Sequence, residues 1–266
     1  MTRRPRRILV SGGGGFTTSV QDLPLDHLGL ELVGVQRPRI CLLPTASGDP
    51  EDQISRFYST FRDTGAELCH VSLFRLGNNR TLPLAEQLLA QDVIYAGGGS
   101  MVNLLALWGA HEIGETLAEA WRRGVLLCGV SAGAMCWFEG GVTRSHGPPR
   151  PARGLGLLPG SLSVHDDVDP ERAAAYRDAV LAGALDPGYA LDDGVGLLFE
   201  DGRPPQAFSA RLTAGARRVS SAGGRLHEQS LELELLDPLD AATTVEPSIT
   251  ELRELREARR GHVSAA

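Results

Sequence analysis

Val125-Leu126-Leu127-Cys128-Gly129-Val130-Ser131-Ala132-Gly133-Ala134 is an apolar run that ends in a serine flanked by small residues. Such a run indicates a buried strand that turns sharply into a helix, and Ala134 to Phe138 are compatible with that helix. A serine at such a turn is strained, and its hydroxyl is exposed. The segment therefore predicts a nucleophile at Ser131; the structural alternative is a packing turn whose serine only caps the helix.

Similar apolar runs recur before this segment and alternate with stretches of helical spacing. Predicted strands are Ile8–Val10, Arg39–Leu43, Val93–Tyr95 and Val125–Val130, and predicted helices are Asp52–Gly65, Leu84–Gln91, Met101–Leu107 and Glu112–Arg123. Alternation of this kind predicts an α/β fold with a mostly parallel sheet that is covered on both faces. Ligands of such sheets bind beyond the carboxyl ends of the strands, where the glycine-rich corners of this chain are expected.

Two glycine tracts follow predicted strands. The tract from Gly97 to Gly99 opens a predicted helix, and the N–H groups of Gly98 and Gly99 can join that of Ala132 in an oxyanion hole. A nest for a bound anion, or a plain turn, is the alternative. The tract from Gly12 to Gly15 lacks the residues of a P-loop or a dinucleotide fingerprint, and we expect it to border the same site.

A serine nucleophile needs a base, and histidine is the most common one. The seven candidates are His27, His70, His111, His146, His165, His227 and His262. Only His165 closes a strand-like segment, Ser161 to Val164, and so emerges at a strand end. It is the predicted base. A metal site formed by His165 with neighbouring aspartates is disfavoured, because one histidine among hard oxygen ligands is a poor zinc set.

A triad also needs a carboxylate to orient the histidine. Asp192 and Asp193 lie at another predicted strand corner, and Asp193 is the preferred candidate. Glu139, eight residues after Ser131, is the competitor, although its predicted helix runs away from the turn.

The second half of the chain is less regular. Gly140 to Arg153 is predicted to be a surface loop, Pro170–Gly183 a helix, and Val195 to about Leu236 antiparallel strands at a sheet edge. We expect one catalytic domain over residues 1–236 and a polar extension over residues 237–266, with a charged helix from Ser248 to Arg260.

Composition excludes several classes of protein. The formal net charge of -7 argues against a nucleic-acid surface, and the basic run from Arg3 to Arg7 is expected to be a solvated tail. No apolar run reaches the roughly 18 residues of a membrane span. The four cysteines lack CxxC spacing, so we expect reduced thiols and a cytoplasmic protein. We also expect no metal or other cofactor.

With these residues assembled, the chain resembles the peptidase E and cyanophycinase family of serine peptidases, whose fold is similar to that of class I glutamine amidotransferases. Three motifs and the Asp192-Asp193-Gly194 corner carry the resemblance over roughly residues 8 to 200. The motifs are Ala96-Gly97-Gly98-Gly99-Ser100, Gly129-Val130-Ser131-Ala132-Gly133-Ala134 and Gly154-Leu155-Gly156-Leu157-Leu158-Pro159 leading to His165. The resemblance implies a three-layer α/β sandwich, with Ser131 as nucleophile and His165 as base.

The resemblance also bears on the substrate. Members of the family cleave peptides that begin with aspartate or, in cyanophycinases, aspartate-arginine polymers. An Asp-selective pocket needs a cation, for which Arg144, Arg150, Arg153 and Arg172 are candidates, and Arg172 with Asp192 is the predicted substrate-binding set. Val164 and Ser100-Met101 stand where many relatives have Pro or Gln and Asn-Thr, so substrate preference is the least transferable property.

The sequence thus predicts a cofactor-free serine peptidase acting on small peptides, such as Asp-X dipeptides, with a homodimer left open. Two rivals remain. One is an esterase or amidase on the same scaffold, and the other is a binding protein that keeps the serine turn for packing.

Overall fold

The computed structural model of the chain describes residues 4–74 and 83–239. Strands and helices alternate in the first half: β1 (Arg7–Ser11), α1 (Leu23–Val33), β2 (Arg39–Leu43), α2 (Glu51–Phe61), β3 (Glu67–His70), α3 (Leu84–Leu89), β4 (Val93–Ala96), α4 (Met101–Ala110), α5 (Ile113–Arg122) and β5 (Leu126–Val130).

Strands dominate the second half, where the α-helices within the described residues, which end at residue 239, are α6 and α7. The elements are α6 (Ala132–Met135), β6 (Phe138–Thr143), β7 (Arg150–Arg153), β8 (Leu158–Val164), α7 (Pro170–Leu181), β9 (Gly188–Leu191), β10 (Val195–Glu200), β11 (Gln206–Ser209), β12 (Ala216–Ala222), β13 (Arg225–Ser230) and β14 (Glu234–Leu235).

The described strands form two sheets. The first has the order β14-β11-β10-β1-β5-β4-β2-β3, in which β1, β5, β4, β2 and β3 are parallel and β10 is antiparallel to both β1 and β11. Because the parallel strands end at one edge, the corners after β1, β2, β4 and β5 meet there. Ser131 N–H donates to Ser11 O over 3.0 Å, and Gly97 N–H donates to Leu43 O over 3.1 Å.

Both faces of the first sheet are covered, as its apolar strands require. Along β1, Ile8 and Val10 enter one core, which α3, α4 and α5 complete, whereas Leu9 enters the other core with side chains of α1 and α2. The predicted fold class, a three-layer α/β sandwich with a mostly parallel central sheet, is confirmed.

The second sheet has the order β13-β12-β9-β8-β6-β7, with β6, β8 and β9 parallel. Side chains of α7 cover one of its faces through Tyr176 and Val180, while Leu162, Val164 and Leu191 join the large core of the first sheet. Its parallel strands end beside the corner of β5, so the two sheets meet at the predicted site.

The prediction of a surface loop over Gly140 to Arg153 is wrong for most of its length. Phe138–Thr143 and Arg150–Arg153 are antiparallel strands of the second sheet, joined by residues 144–149. The expected helix from Ala134 to Phe138 is likewise limited to the single turn of α6, because the chain enters β6 at Phe138. A sequence rich in Gly, Pro and Arg hides these strands, since Phe138 and Val142 are the only large apolar side chains in β6 and the side chains of β7 are mostly exposed.

The domain boundary at residue 236 stays a prediction. Leu236 and Leu239 pack on the second core, and Leu236 N–H donates to Ser209 O over 2.8 Å. The helix predicted from Ser248 to Arg260 lies outside the described residues. Within residues 4–74 and 83–239, no helix combines the length and apolarity needed to cross a bilayer.

Candidate active site

Ser131 occupies the corner between β5 and α6, as the sequence predicts. Its backbone has φ 54° and ψ -115°, a conformation that L-residues rarely adopt. Its carbonyl accepts from the N–H groups of Ala134 and Met135, each over 3.0 Å, but its side chain makes no capping hydrogen bond. The hydroxyl is therefore not used as a helix cap.

The flanking glycines are required by close backbone approach. A Cβ on Gly129 would lie 2.1 Å from Gly133 O, and a Cβ on Gly133 would lie 2.1 Å from Ala96 O. Any side chain at either position would push β5, α6 and β4 apart, so the small residues of the sequence segment fix the turn.

The hydroxyl of Ser131 contacts His165. Ser131 Oγ lies 2.8 Å from His165 Nε2, which is hydrogen-bond distance for a nucleophile and its base. His165 follows β8 and also has a positive φ, of 58°, and its carbonyl accepts from the N–H groups of Val168 and Asp169. The turn that begins there projects the imidazole from the second sheet toward the corner of the first.

The other imidazole nitrogen contacts Asp193, since His165 Nδ1 lies 2.5 Å from Asp193 Oδ1. An ionised carboxylate can only accept a hydrogen bond, so Nδ1 carries the proton. Nε2 of the neutral ring is then unprotonated and accepts from the Ser131 hydroxyl. This chain of two hydrogen bonds has the arrangement of a catalytic triad.

The surroundings of Asp193 keep it ionised. Burial raises the pKa of Asp193, but the hydrogen bond and charge of His165, with the nearby Arg211 and Arg172, outweigh burial and bring its pKa below the ordinary value. Asp193 is therefore a carboxylate at neutral pH, as its place beside Nδ1 requires.

Backbone N–H groups surround the space beside Ser131. A Cβ on Gly98 would lie 3.3 Å from Ser131 Cβ and 3.9 Å from its Oγ, so Gly98 borders the nucleophile directly. Gly99 has φ 138° and packs on Ala46 O. Within the described residues, the N–H groups of Gly98, Gly99 and Ala132 donate to no backbone carbonyl, which leaves them available to an oxyanion.

The Gly12 to Gly15 corner borders the same site. A Cβ on Gly13 would lie 2.0 Å from Asp193 Oδ1 and 2.6 Å from His165 Cε1, so only glycine leaves room for the pair. Gly194 N–H donates to Gly13 O over 3.0 Å and ties the segment of Asp193 to this corner.

The two other carboxylates considered for the triad lie elsewhere. Asp192 is buried, and its carboxylate accepts from Gly215 N–H over 2.7 Å and lies 3.5 Å from Arg217 Nη1. Burial raises the pKa of Asp192. Glu139 accepts from Gly160 N–H over 2.7 Å, near the amino end of β8, whereas His165 follows its carboxyl end.

The aspartates next to His165 also have structural partners. Asp166 is bound by Arg177 over 2.8 and 3.0 Å and by Arg217 over 3.2 Å, and Asp167 accepts from Asp193 N–H over 2.9 Å. In the described part of the chain, no group of three or more His, Cys, Asp and Glu side chains is arranged to hold a metal ion.

Of the four candidate arginines, Arg172 and Arg144 lie closest to the triad. The Arg172 side chain is only 12% exposed, and its Nε is 3.3 Å from Asp169 Oδ2. Neither its Nε nor its Nη1 makes a hydrogen bond within the described residues, and burial lowers its pKa. Arg144 binds Asp169 and Glu171 and lines, with His165, an open cleft of about 530 Å³.

The other two arginines lie on β7, an edge strand of the second sheet. Arg150 pairs with Thr143 and Arg153 with Gly140, so Arg153 is at the end of the strand remote from His165. Arg153 lines a separate surface cavity together with Glu139.

Sequence reasoning missed Arg211, which packs on the segment of Asp193, and Asp22, which binds Arg211. No motif marks them: Asp22 and Arg211 are 189 residues apart, and only the fold brings them together. Asp167 was considered only as part of the disfavoured metal site, whereas in the structure it accepts from the N–H of Asp193.

Comparisons with known proteins identify the family of the chain. The model of peptidase family S51 matches residues 8–205. The uncharacterized peptidase YgaJ of Bacillus subtilis (strain 168) is 41% identical over 231 residues, which cover 87% of this chain and 99% of that protein. The chain therefore belongs to peptidase family S51 and is a serine-type peptidase, so the resemblance to peptidase E is confirmed.

A solved structure agrees at the level of the fold. The crystal structure of a peptidase from an acI-B1 Actinobacterium matches with a TM-score of 0.65 and 16% identity, over 89% of this chain and 98% of that chain. At this identity the likeness concerns the arrangement of sheets and helices.

Proposed function

We propose that this member of family S51 hydrolyses small peptides through an acyl-enzyme on Ser131, with His165 as general base and Asp193 as the orienting acid. The observation that carries the proposal is the hydrogen-bonded series Ser131 Oγ, His165 Nε2, His165 Nδ1 and Asp193 Oδ1, with distances of 2.8 and 2.5 Å.

Acylation follows from this geometry. His165 Nε2 takes the proton of Ser131 Oγ as the oxygen attacks the carbonyl carbon of the scissile bond. The resulting imidazolium lies against the carboxylate of Asp193. It then gives its proton to the leaving amine, and the C–N bond breaks.

The negative charge on the tetrahedral intermediate needs donors that are already in place. The proposed oxyanion hole consists of the N–H groups of Ala132, which follows Ser131 in the chain, of Gly98, which packs next to Ser131, and of the adjacent Gly99. One such donor contributes roughly 2.7–4 kcal/mol to transition-state stabilisation in a serine protease. The single-turn helix α6 adds little dipole potential, so the individual N–H groups carry this role.

Deacylation uses the same groups in reverse. His165 Nε2 takes a proton from water, the hydroxide attacks the ester carbonyl, and the carboxylate product leaves as Ser131 Oγ regains its proton. The chemistry requires no cofactor.

For the substrate, we propose a preference for an acidic side chain next to the scissile bond, as in Asp-X dipeptides. The support is Arg172, a mostly buried guanidinium near the triad, whose Nε and Nη1 make no hydrogen bond although Asp169 Oδ2 lies 3.3 Å from Nε. A carboxylate would supply both counter-charge and acceptors. Asp192 was predicted to share this role, but its carboxylate contacts Gly215 and Arg217, so we assign recognition to Arg172.

The first test is hydrolysis of N-terminally unblocked dipeptide amides, Asp-X included, by wild type and Ser131→Ala. Ser59→Ala, on the exposed face of α2, is the matched control. We expect cleavage by wild type and Ser59→Ala, none by Ser131→Ala, and labelling of Ser131 by a fluorophosphonate.

Other results would discard parts of the proposal. Cleavage of esters or small amides without cleavage of peptides would favour the esterase or amidase alternative. A folded protein that neither cleaves peptides nor is labelled at Ser131 would favour the binding-protein alternative. An observation against that alternative is that the Ser131 side chain does not cap α6.

A further inference from the structure

Two segments cross between the sheets beside the proposed triad. Residues 192–194 connect β9 of the second sheet to β10 of the first, and residues 210–215 connect β11 of the first sheet to β12 of the second. They are hydrogen-bonded to each other, since Ala210 N–H donates to Gly194 O over 2.9 Å and Asp192 N–H donates to Gly215 O over 3.1 Å. Asp193 is therefore on a segment whose position depends on its neighbour.

Arg211, on the second of these segments, is held by a buried carboxylate. Its Nε and Nη2 donate to the two oxygens of Asp22 over 2.8 and 2.7 Å, and Asp22 is fully buried. A bidentate pair of this kind fixes the plane of the guanidinium as well as its distance. Asp22 in turn contacts Gly14, where a Cβ would lie 2.0 Å from Asp22 Oδ2.

The Arg211 side chain packs against Gly194, the residue after Asp193. A Cβ on Gly194 would lie 2.7 Å from Arg211 Nε and 2.8 Å from its Cδ and Cγ. On the opposite side, Gly194 N–H is bound to Gly13 O. The backbone next to Asp193 is thus clamped between Arg211 and the Gly12 to Gly15 corner.

The carboxylate of Asp193 needs such a clamp. Among the described residues, its only side-chain hydrogen bond is the one to His165, so the path of its backbone must set its orientation. The charged side chains near it are His165, Arg172 and Arg211, which lower its pKa against the effect of burial, and Asp167, whose carboxylate accepts from the N–H of Asp193 over 2.9 Å.

We propose that Arg211, anchored by Asp22, is a positioning residue for the reaction: it fixes the segment of Asp193 and places a positive charge near this carboxylate. The inference rests on the proposed role of Asp193 and adds two residues that do not touch the substrate. Misplacing a reacting group by about 1 Å costs roughly 100-fold in rate, which sets the scale of the expected effect.

The test compares Arg211→Met, Arg211→Lys and Asp22→Asn with Arg203→Met, a control at an exposed arginine beyond the far end of β10. Rates are expressed per site titrated with fluorophosphonate, so unfolded protein does not count. We expect Arg211→Met to lower kcat roughly 10- to 100-fold with little change in KM, and to move the acidic limb of the kcat/KM profile to higher pH. Arg211→Lys keeps the charge, so it should lower kcat without moving that limb.

The double variant Asp22→Asn/Arg211→Met should be no slower than Arg211→Met alone, because the two residues act as one unit. A kcat per titrated site that matches wild type in Arg211→Met, with only the melting temperature lowered, would overturn the inference. If Arg211→Met does not fold, the kcat per titrated site is compared with wild type in Arg211→Lys and Asp22→Asn instead. Values that match wild type in both would overturn the inference. An inactive wild type, or an active Ser131→Ala, would instead reject the proposed function.

Discussion

Two residues with strained backbones carry the reacting groups of the proposed triad. Ser131 and His165 both have positive φ, at 54° and 58°, and a conformation of this kind costs on the order of 1–3 kcal/mol at each residue. The surrounding contacts must hold both in place. With these backbones Oγ and Nε2 lie 2.8 Å apart, although Ser131 follows a strand of the first sheet and His165 a strand of the second.

Replacing Asp193 by Asn should lower kcat by about four orders of magnitude. The amide would no longer stabilise an imidazolium, and its NH₂ group would favour the wrong imidazole tautomer. Steady-state kinetics on the best dipeptide substrate would measure the loss, and circular dichroism would confirm the fold.

Asp192→Asn and Glu139→Gln are the comparison variants, because their carboxylates contact Gly215 and Gly160 rather than His165. Activity close to wild type in Asp193→Asn, with a large loss in either comparison variant, would assign the acid to another carboxylate.

Removing the Arg172 charge should change specificity more than catalysis. Arg172→Met is expected to lower kcat/KM for Asp-X substrates roughly 10- to 100-fold, the cost of one charge-assisted hydrogen-bond pair, and to change that for Ala-X by much less. Arg150→Met on β7 is the control. Equal losses on both substrates would mean that Arg172 supports the fold and does not recognise the acidic group.

At the scale of elements, the sequence predicted the strand-end corners better than the sheets. The segments around Gly12, Gly97 and Ser131 are recognisable in the sequence, because each is an apolar strand followed by glycine or another small residue that permits close approach of the backbone. The helix α1 was missed because Pro24 and Gly29 are not typical of a helix and because its apolar residues are not confined to one face. The basic run was predicted to be solvated, yet Arg7 begins β1 and pairs with Glu200 over 2.5 Å.

The corner after β1 offers a test of packing beside the proposed triad. Gly13→Ala should reduce kcat at least 10-fold, since the new methyl group would displace Asp193 Oδ1 or His165 Cε1. Gly109→Ala is the matched control: it lies in α4 with nothing within 4 Å of its Cβ, and it should stabilise the fold by up to about 1 kcal/mol. Wild-type kinetics in Gly13→Ala would show that the corner after β1 shifts to accommodate the methyl group without displacing Asp193 or His165.

At the scale of the whole molecule, the proposed site is assembled from both sheets. Ser131 follows β5 of the first, whereas His165 and Asp193 follow β8 and β9 of the second. The sequence predicted all three by their strand ends but could not predict that a second sheet exists, since the glycines of β6 and the exposed residues of β7 leave too few apolar positions to indicate strands. The positions of Asp22 and Arg211 could not be predicted for the same reason, because the crossing segments depend on how the sheets join.

A buried acid beneath this junction should make global stability depend on pH. Asp26, at the start of α1, accepts from Phe16 N–H and Tyr95 Oη, each over 2.8 Å, yet burial raises its pKa from 3.8 to about 7. That pKa of about 7 already includes the smaller rise caused by the charge of Asp22 and the opposing effect of the two hydrogen bonds. Between these two pKa values the unfolded chain has released the proton that the folded protein keeps, so folding weakens as pH rises from about 4 and the full penalty is present above about 7.

Asp26→Asn removes this ionisation while keeping the size of the side chain. Urea unfolding at pH 5, 6, 7 and 8 should show the variant gaining on wild type by roughly 1.4 kcal/mol per pH unit up to about pH 7, and no further above it. The penalty cannot exceed about 4 kcal/mol, the value of a shift from 3.8 to about 7. Asp63→Asn, at an exposed residue after α2, should leave the slope unchanged. A constant difference between Asp26→Asn and wild type across this range would mean that Asp26 is ionised throughout and that Tyr95 and Phe16 compensate its burial in full.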